Sequence, residues 1–218
     1  ILLVIIALMA TNKKLVETVK NIFKIEDLRK RLIYTCLLLL VYRLGCYVVI
    51  PGIDPNLLGE GSALANQMDS NGLLGLLNVF SGGAFANAAI FALGVMPYIT
   101  ASIIIQLLGM MVPAVQKMMK EGESGRRKMN QWTRLLTIGV LALQGPAYVA
   151  NLYHQMPEAF VYGNTFIFTI YATIILIAGT MFVVWLGEKI TDKGIGNGVS
   201  LIIMIGIVAR LPHALLAE

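Results

Sequence analysis

Charge is scarce in this chain. Asp, Glu, Lys and Arg make up 13% of its 218 residues, where about a quarter is usual for a soluble domain. The shortage is concentrated, because whole windows of roughly 20 residues lack a charge, which excludes the alternating apolar and polar faces of a water-soluble fold. Cysteine is nearly absent as well. Cys36 and Cys46 lie ten positions apart in one apolar window. At about 100° per residue they point in different directions, so they make neither a metal pair nor a local disulfide and read as small lipid- or core-facing residues. The two histidines, His154 and His213, fall just outside apolar windows. Neither has a nucleophile or carboxylate at a catalytic or metal-ligand spacing, so no catalytic residue, cofactor or metal is expected.

What the chain has instead is apolar length. It is 57% hydrophobic, with a mean hydropathy of +0.77, and this predicts an all-α membrane protein. Apolar windows fall at Leu32–Ile50, Ala86–Val112, Leu135–Tyr153, Thr165–Gly187 and, more weakly, Ile195–Leu211, giving five expected spans. At about 1.5 Å per residue the first four reach the ~30 Å of bilayer hydrocarbon. The fifth is marginal and carries Gly196, Gly198 and Gly206, which leaves its ends open.

The placement of charge sets an orientation. Of the 17 Lys and Arg, seven fall in Thr11–Arg31 and six in Pro113–Arg134, whereas Pro51–Phe85 and His154–Asn164 hold none. Short loops rich in Lys and Arg stay cytoplasmic. The N-terminus and the "KEGESGRRK" and "GEKITDKGIGNG" loops are therefore expected inside, and the two loops without basic residues outside. Anionic lipid near these basic clusters is a sufficient reason for most of them. Over residues 13–31, "KLVETVKNIFKIEDLRKRL" puts Leu15, Val19, Ile22 and Phe23 on one helical stripe, as expected of an amphipathic helix on the cytoplasmic surface. Residues 1–12 begin "ILLVIIALMA", without an initiator Met, too short to span and without the basic leader of a signal peptide. A tag, a processed remnant and a displaced register all remain open, and no function is assigned to this segment.

Between the first two windows lies "GLLGLLNVFSGGAFANAA", Gly72 to Ala89. Its first part is apolar enough to avoid water and too short to cross a bilayer, and Gly72, Gly75, Gly82 and Gly83 let the chain turn at both ends. A half-helix re-entering the protein fits, and interrupted backbone at membrane depth implies a protein-lined or water-filled cavity. Gly94, Pro97, Thr100 and Ser102 make the middle of the following window both bent and polar, because Pro97 cannot donate to the Leu93 carbonyl. Pro and Gly are also ordinary in membrane helices. Arg43 is the one charge clearly inside a window, seven residues from its outer end. Such residues are usually paired or functional, but about 10 Å of snorkelling to the interface is the simpler expectation.

Several long stretches carry a resemblance. "PGIDP", "NVFSGGA", "FALGVMPYITASIIIQLL", "KEGESGRRKMNQWTR", "GTMFVVWLGEKITDKGIGNGVSLII" and "GIVARLP", running from about Lys13 to Pro212, are similar to the N-terminal half of the SecY family, channel subunits of the bacterial Sec translocon. The resemblance makes residues 32–218 the first five-span half of a pseudo-symmetric ten-helix channel that conducts unfolded polypeptides and releases signal or transmembrane segments sideways into lipid. It implies a plug at 72–85, with Gly72, Leu73, Leu74, Leu77, Asn78, Phe80, Ser81, Gly82 and Gly83 among its residues. An apolar pore ring maps onto Val95, Ile99 and Ile203, and a polar lateral gate onto Thr100 and Gln144. For the last two, a local interhelical hydrogen bond is an equally good reading.

The partners it implies are SecE and SecG, SecA or a ribosome as motor, signal-bearing polypeptides as substrates, and membrane lipids, with no sequence-specific nucleic-acid binding. Arg126, Arg127 and Lys128 are the expected cytoplasmic partner contacts, and the implied location is the bacterial inner membrane, multi-pass, with the N-terminus in the cytoplasm. The alternative is half of an ion-coupled secondary transporter. Against it stands the lack of any acidic residue in a window core, since such proteins commonly keep an ion site near the midplane. A membrane enzyme is weaker still, because "GIGNG" lacks the preceding strand that a phosphate-cradling loop needs.

Overall fold

The computed structural model describes residues 25–55, 58, 72–160 and 165–216, and its elements are helices joined by turns. They are α1 (Glu26–Gly45), α2 (Gly72–Phe80), α3 (Met96–Met111), α4 (Pro113–Lys120), α5 (Glu123–Gln155), α6 (Thr165–Lys193) and α7 (Gly198–Leu216), with a 3-10 turn at Pro157–Ala159. Among the described residues there is no strand, only isolated backbone bridges at Val49–Ala89 and Ile53–Phe160. Among the described residues two helices, α5 and α6, are long and apolar enough to cross a membrane, while Met96–Met111 and Gly198–Ala209 are shorter apolar stretches. Residues 1–24, which include the apolar segment 1–12 and most of the amphipathic stretch 13–31, lie outside the described residues.

Helix α1 starts earlier than the first apolar window and ends before it does. Glu26 and Asp27 sit in its first turn and Arg43 in its last, a charge order that complements the helix dipole. Residues 26–31 are thus the opening turns of α1 itself. It stops at Gly45, where the Phe91 ring occupies the space a Cβ would need. Beyond it the chain turns at Cys46 and Tyr47 and then finds backbone partners across the fold. Ile50 N–H donates to the Ala88 carbonyl, Ile90 N–H to that of Val48 and Asp54 N–H to that of Ala159, each at 2.9 Å.

The window Ala86–Val112 is not one helix. Residues 81–95 form consecutive turns, and α3 begins only at Met96. The cause lies in the backbone. Ala88 (φ +44°) and Gly94 (φ +53°) take left-handed conformations that no right-handed helix accommodates. Pro97 accordingly sits in the first turn of α3, where its missing N–H costs nothing, and does not kink a helix middle. On the other side of α3, "KEGESGRRK" is mostly helical: α4 and α5 are separated by Glu121 and Gly122 alone, with Gly122 at φ +71°. At 33 residues, α5 extends about 50 Å, well beyond the hydrocarbon thickness.

Two apolar clusters hold the helices together. One joins Ile50, Ile53 and Phe85 to Tyr148, Leu152, Phe168 and Leu176, tying the loops to α5 and α6. The other joins Leu38 and Tyr42 of α1, and Cys46 just past its end, to Phe91, Val95, Val183, Leu186 and Ile202. Close approach depends on small residues, as in membrane bundles generally. A Cβ on Gly145 of α5 would lie 2.8 Å from Thr173 Cγ2 of α6. Where α6 turns into α7, Thr191 Oγ1 donates to the Gly187 carbonyl and accepts from Gly198 N–H, both at 2.9 Å, and Asn197 Oδ1 caps α7 by accepting from Val199 N–H at 3.1 Å. Of the two cysteines, Cys36 is exposed and Cys46 buried, and both are free.

Candidate functional site

The nine residues of α2 extend about 13 Å, under half the hydrocarbon thickness. Its sequence is apolar throughout except for Asn78, which stands two residues before its end. Asn78 is 2% exposed, and both its oxygens accept hydrogen bonds. Its carbonyl accepts from Gly83 N–H (2.9 Å) and Ser81 Oγ (3.1 Å), and its Oδ1 accepts from Ala86 N–H (3.1 Å). Ser81 Oγ also accepts from Phe85 N–H at 3.1 Å. Asn78 and Ser81 together replace the backbone ladder that the turns give up.

Three neighbouring helices fix this knot. From α5, the buried Tyr148 hydroxyl donates to the Phe85 carbonyl at 2.9 Å, and its ring meets that of Phe85 edge to face at 4.8 Å. From α7, Gly206 backs directly onto the exit of α2: a Cβ there would stand 3.0 Å from the Phe80 carbonyl oxygen, and one on Gly82 would stand 3.0 Å from Gly206 Cα. Gly82 and Gly83 hold φ of +65° and +92°, so both the conformation and the space call for glycine. From α1, Arg43 Nη1 donates to the Gly82 carbonyl at 2.8 Å, and its guanidinium lies over the Tyr47 ring, 5.5 Å from the centroid. This corrects the snorkelling expected from the sequence. Arg43 turns inward because a carbonyl without a described backbone donor lies within its reach.

The three positions mapped to a pore ring are brought together. Val95 is 4% exposed and caps α3, with Ile99 N–H donating to its carbonyl at 3.1 Å. Ile99 and Ile203 are half-buried against the cluster that contains Val95. Of the plug positions, Leu77 and Phe80 are half-buried, and the side chains of Gly72, Leu73 and Leu74 lie outside the described residues. Thr100 and Gln144 are exposed, and the Thr100 hydroxyl donates to the Met96 carbonyl of its own helix at 3.1 Å, making no interhelical bond. Of the basic trio, Arg127 pairs with Glu123 at 3.1 Å and Lys128 with Glu121 at 3.3 Å, both exposed, while the Arg126 side chain lies outside the described residues. Arg134 makes a two-pronged pair with Glu188, linking α5 to α6. Sequence reasoning missed Tyr148 and the role of Gly206. The only signal for either was a polar tip or a missing side chain in an apolar run.

The family model SecY matches residues 89–217. The chain belongs to the SecY family. It is 43% identical over 198 residues to the protein translocase subunit SecY of Thermotoga maritima, covering 90% of this chain and 46% of that one. It is 45% identical over 201 residues to that of Streptomyces scabiei (88% and 45%) and 44% identical over 206 residues to that of Buchnera aphidicola subsp. Schizaphis graminum (93% and 46%). The chain therefore spans about half the length of the SecY relatives it matches. Among solved structures it is similar to Sec61 in the canine ribosome-channel complex from the endoplasmic reticulum, with a TM-score of 0.55, 19% identity, and 83% of this chain and 36% of that one covered. A structure described as that of a protein conducting channel matches at a TM-score of 0.54 and 20% identity, covering 83% and 36%. These two likenesses concern the fold. Of the motifs quoted for the SecY resemblance, those from "FALGVMPYITASIIIQLL" onward fall inside the matched region.

Proposed function

We propose that this chain forms one half of a protein-conducting channel of the Sec translocase, threading unfolded polypeptides across a bacterial inner membrane and releasing apolar segments sideways. Five spans, near 32–50, 86–112, 135–153, 165–187 and 195–211, would cross the bilayer with the N-terminus in the cytoplasm, the second of them helical from Met96. The observation that carries this reading is α2. A short apolar helix, seated by glycines against α7 and joined to α3 by turns, is built to occupy a cavity and to be displaced from it.

In this reading α2 and the turn after it, within 72–85, plug the pore, and Val95, Ile99 and Ile203 contribute to its constriction. Branched aliphatic side chains disfavour hydrated ions yet part around a polypeptide of any sequence. Thr100 and Gln144, exposed on α3 and α5, stand where a lateral gate would open. The basic residues of α4 and α5, Arg126, Arg127 and Lys128 among them, would meet SecA or a ribosome, and SecE and SecG would complete the assembly. The transporter alternative has no support among the relatives.

Removing Gly72–Phe80 from the full-length protein, reconstituted in planar bilayers with a SecE-type partner, tests the reading. Resting ion conductance should rise severalfold while signal-dependent transport persists. Conductance unchanged from the intact protein, or failure to co-purify with any single-span partner, would overturn it.

A further inference from the structure

Arg43 lies in the last turn of α1 and enters none of the described ion pairs. Its donors go to backbone and ring instead: Nη1 to the Gly82 carbonyl at 2.8 Å and Nη2 to the Tyr47 hydroxyl at 3.5 Å. Two flanking residues reach toward the adjacent carbonyl. The Tyr42 hydroxyl lies 3.5 Å and Cys46 Sγ 3.9 Å from the Ser81 oxygen. Three donors, two in the last turn of α1 and one just past its end, therefore converge on two successive carbonyls, at the point where α2 has just ended. From the opposite side the Phe80–Gly82 backbone rests on Gly206 of α7, too close for a side chain at either glycine. The segment is clasped, and the strongest of these contacts is the one from a permanently charged, multidentate donor.

We infer that Arg43 is the latch of the short helix: by holding the Gly82 carbonyl it fixes the exit end of α2 against α7, and breaking that bond frees α2 to swing out. The mechanical claim stands on the geometry alone, and only its consequence for the pore rests on the channel reading above. Apart from the local hydrogen bonds within residues 77–85, the other contacts that hold Phe80–Gly82 against its neighbours are long or purely steric. An apolar side chain at position 43 leaves a carbonyl without its donor, whereas lysine keeps one charged donor on a stem of similar length.

Cys46 supplies the readout. It is 1% exposed beneath the Ser81 carbonyl, so its alkylation by N-ethylmaleimide reports departure of the clasped segment. The measurement uses the full-length protein in native membranes, with Cys36 and any cysteine outside this chain replaced by Ser. Arg43→Met should raise the alkylation rate about tenfold, as expected when one charge-assisted hydrogen bond is lost. Arg43→Lys should fall near the unsubstituted rate. If Arg43→Met does not accumulate, Arg43→Gln, with a neutral donor, takes its place and should show a rise of a few fold. Alkylation at the unsubstituted rate in the neutral variants, or equal acceleration in Arg43→Lys, would sink the latch. Resting conductance of the same variants separates the two ideas. Faster alkylation with raised conductance supports latch and plug together, while faster alkylation with unchanged conductance keeps the latch and removes the plug.

Discussion

On the channel reading proposed above, Ile99 is a residue at which one side chain would decide between a sealed and a leaking pore. It is half-buried against the cluster that holds Val95 and Ile202, so a polar side chain there loses apolar contacts and gains no partner. A buried polar group left without a partner costs on the order of 1–3 kcal/mol, which an open, hydrated pore would recover. Asparagine at Val95, Ile99 or Ile203 is therefore expected to raise resting conductance of the full-length channel, by up to roughly tenfold per 1.4 kcal/mol. Tyr98→Asn, one position away on a different face of α3, should leak no more than Ile99→Asn. The opposite order in single-channel recordings would place the pore on the other face of α3. The identity of these apolar positions was legible in the sequence. The burial of Val95 was not, because it follows from Val95 capping α3 at the end of a turn, a conformation set by Gly94 and Ala88. Arg43 shows the same limit. Its charge marked it as exceptional, but its partner is a carbonyl 39 residues away that only the turn after α2 presents.

At the scale of elements, glycines determine how closely helices meet, and their effects should have opposite signs at two sites. Gly198 opens α7 directly against the Gly187 carbonyl of α6, so a Cβ there strikes backbone that has no freedom to move aside. Gly139 sits in mid-α5 with nothing within 4 Å of an added Cβ. Gly139→Ala should be neutral or raise stability by about 0.5–1 kcal/mol, through helix propensity alone. Gly198→Ala should lower the thermal midpoint of the detergent-solubilised protein and spread the α6–α7 hairpin. Equal midpoints for the two variants would contradict the close approach. The reading of uncharged apolar windows located helices at 135–153 and 165–187, because long uninterrupted runs leave one solution. It failed over 81–95 because the same apolar residues line a turn whose hydrogen bonds come from Asn78, Ser81 and the backbone of residues 48–50. Hydropathy does not register that difference.

For the molecule as a whole, the arrangement of charge makes two claims that separate cleanly. The first is contact. The basic residues of α4 and α5 sit on helices projecting past the apolar core, where Arg127 and Lys128 are tied only by exposed pairs, which are worth little and are easily exchanged. Replacing Arg126 and Arg127 by Glu in the full-length protein should weaken binding of the motor or ribosome and flatten its salt dependence. Unchanged affinity with intact orientation would leave these residues as topology signals alone.

The second claim is orientation, and it is independent of any partner. Thirteen of 17 basic residues lie in two segments on the same expected side, and the loops at 51–85 and 154–164 have none. Moving Lys and Arg across the bilayer is costly enough that this asymmetry should fix which side each loop occupies. A cysteine at Ser124, exposed in the first turn of α5, should react with a membrane-impermeant thiol reagent in inside-out vesicles and not in intact cells, and one at Ser62 should do the reverse. Both positions reacting from one side would mean an even number of spans between them. Since α3 is the one expected span between Ser62 and Ser124, α3 would then be a re-entrant segment, and the constriction proposed at Val95 and Ile99 would have to be withdrawn.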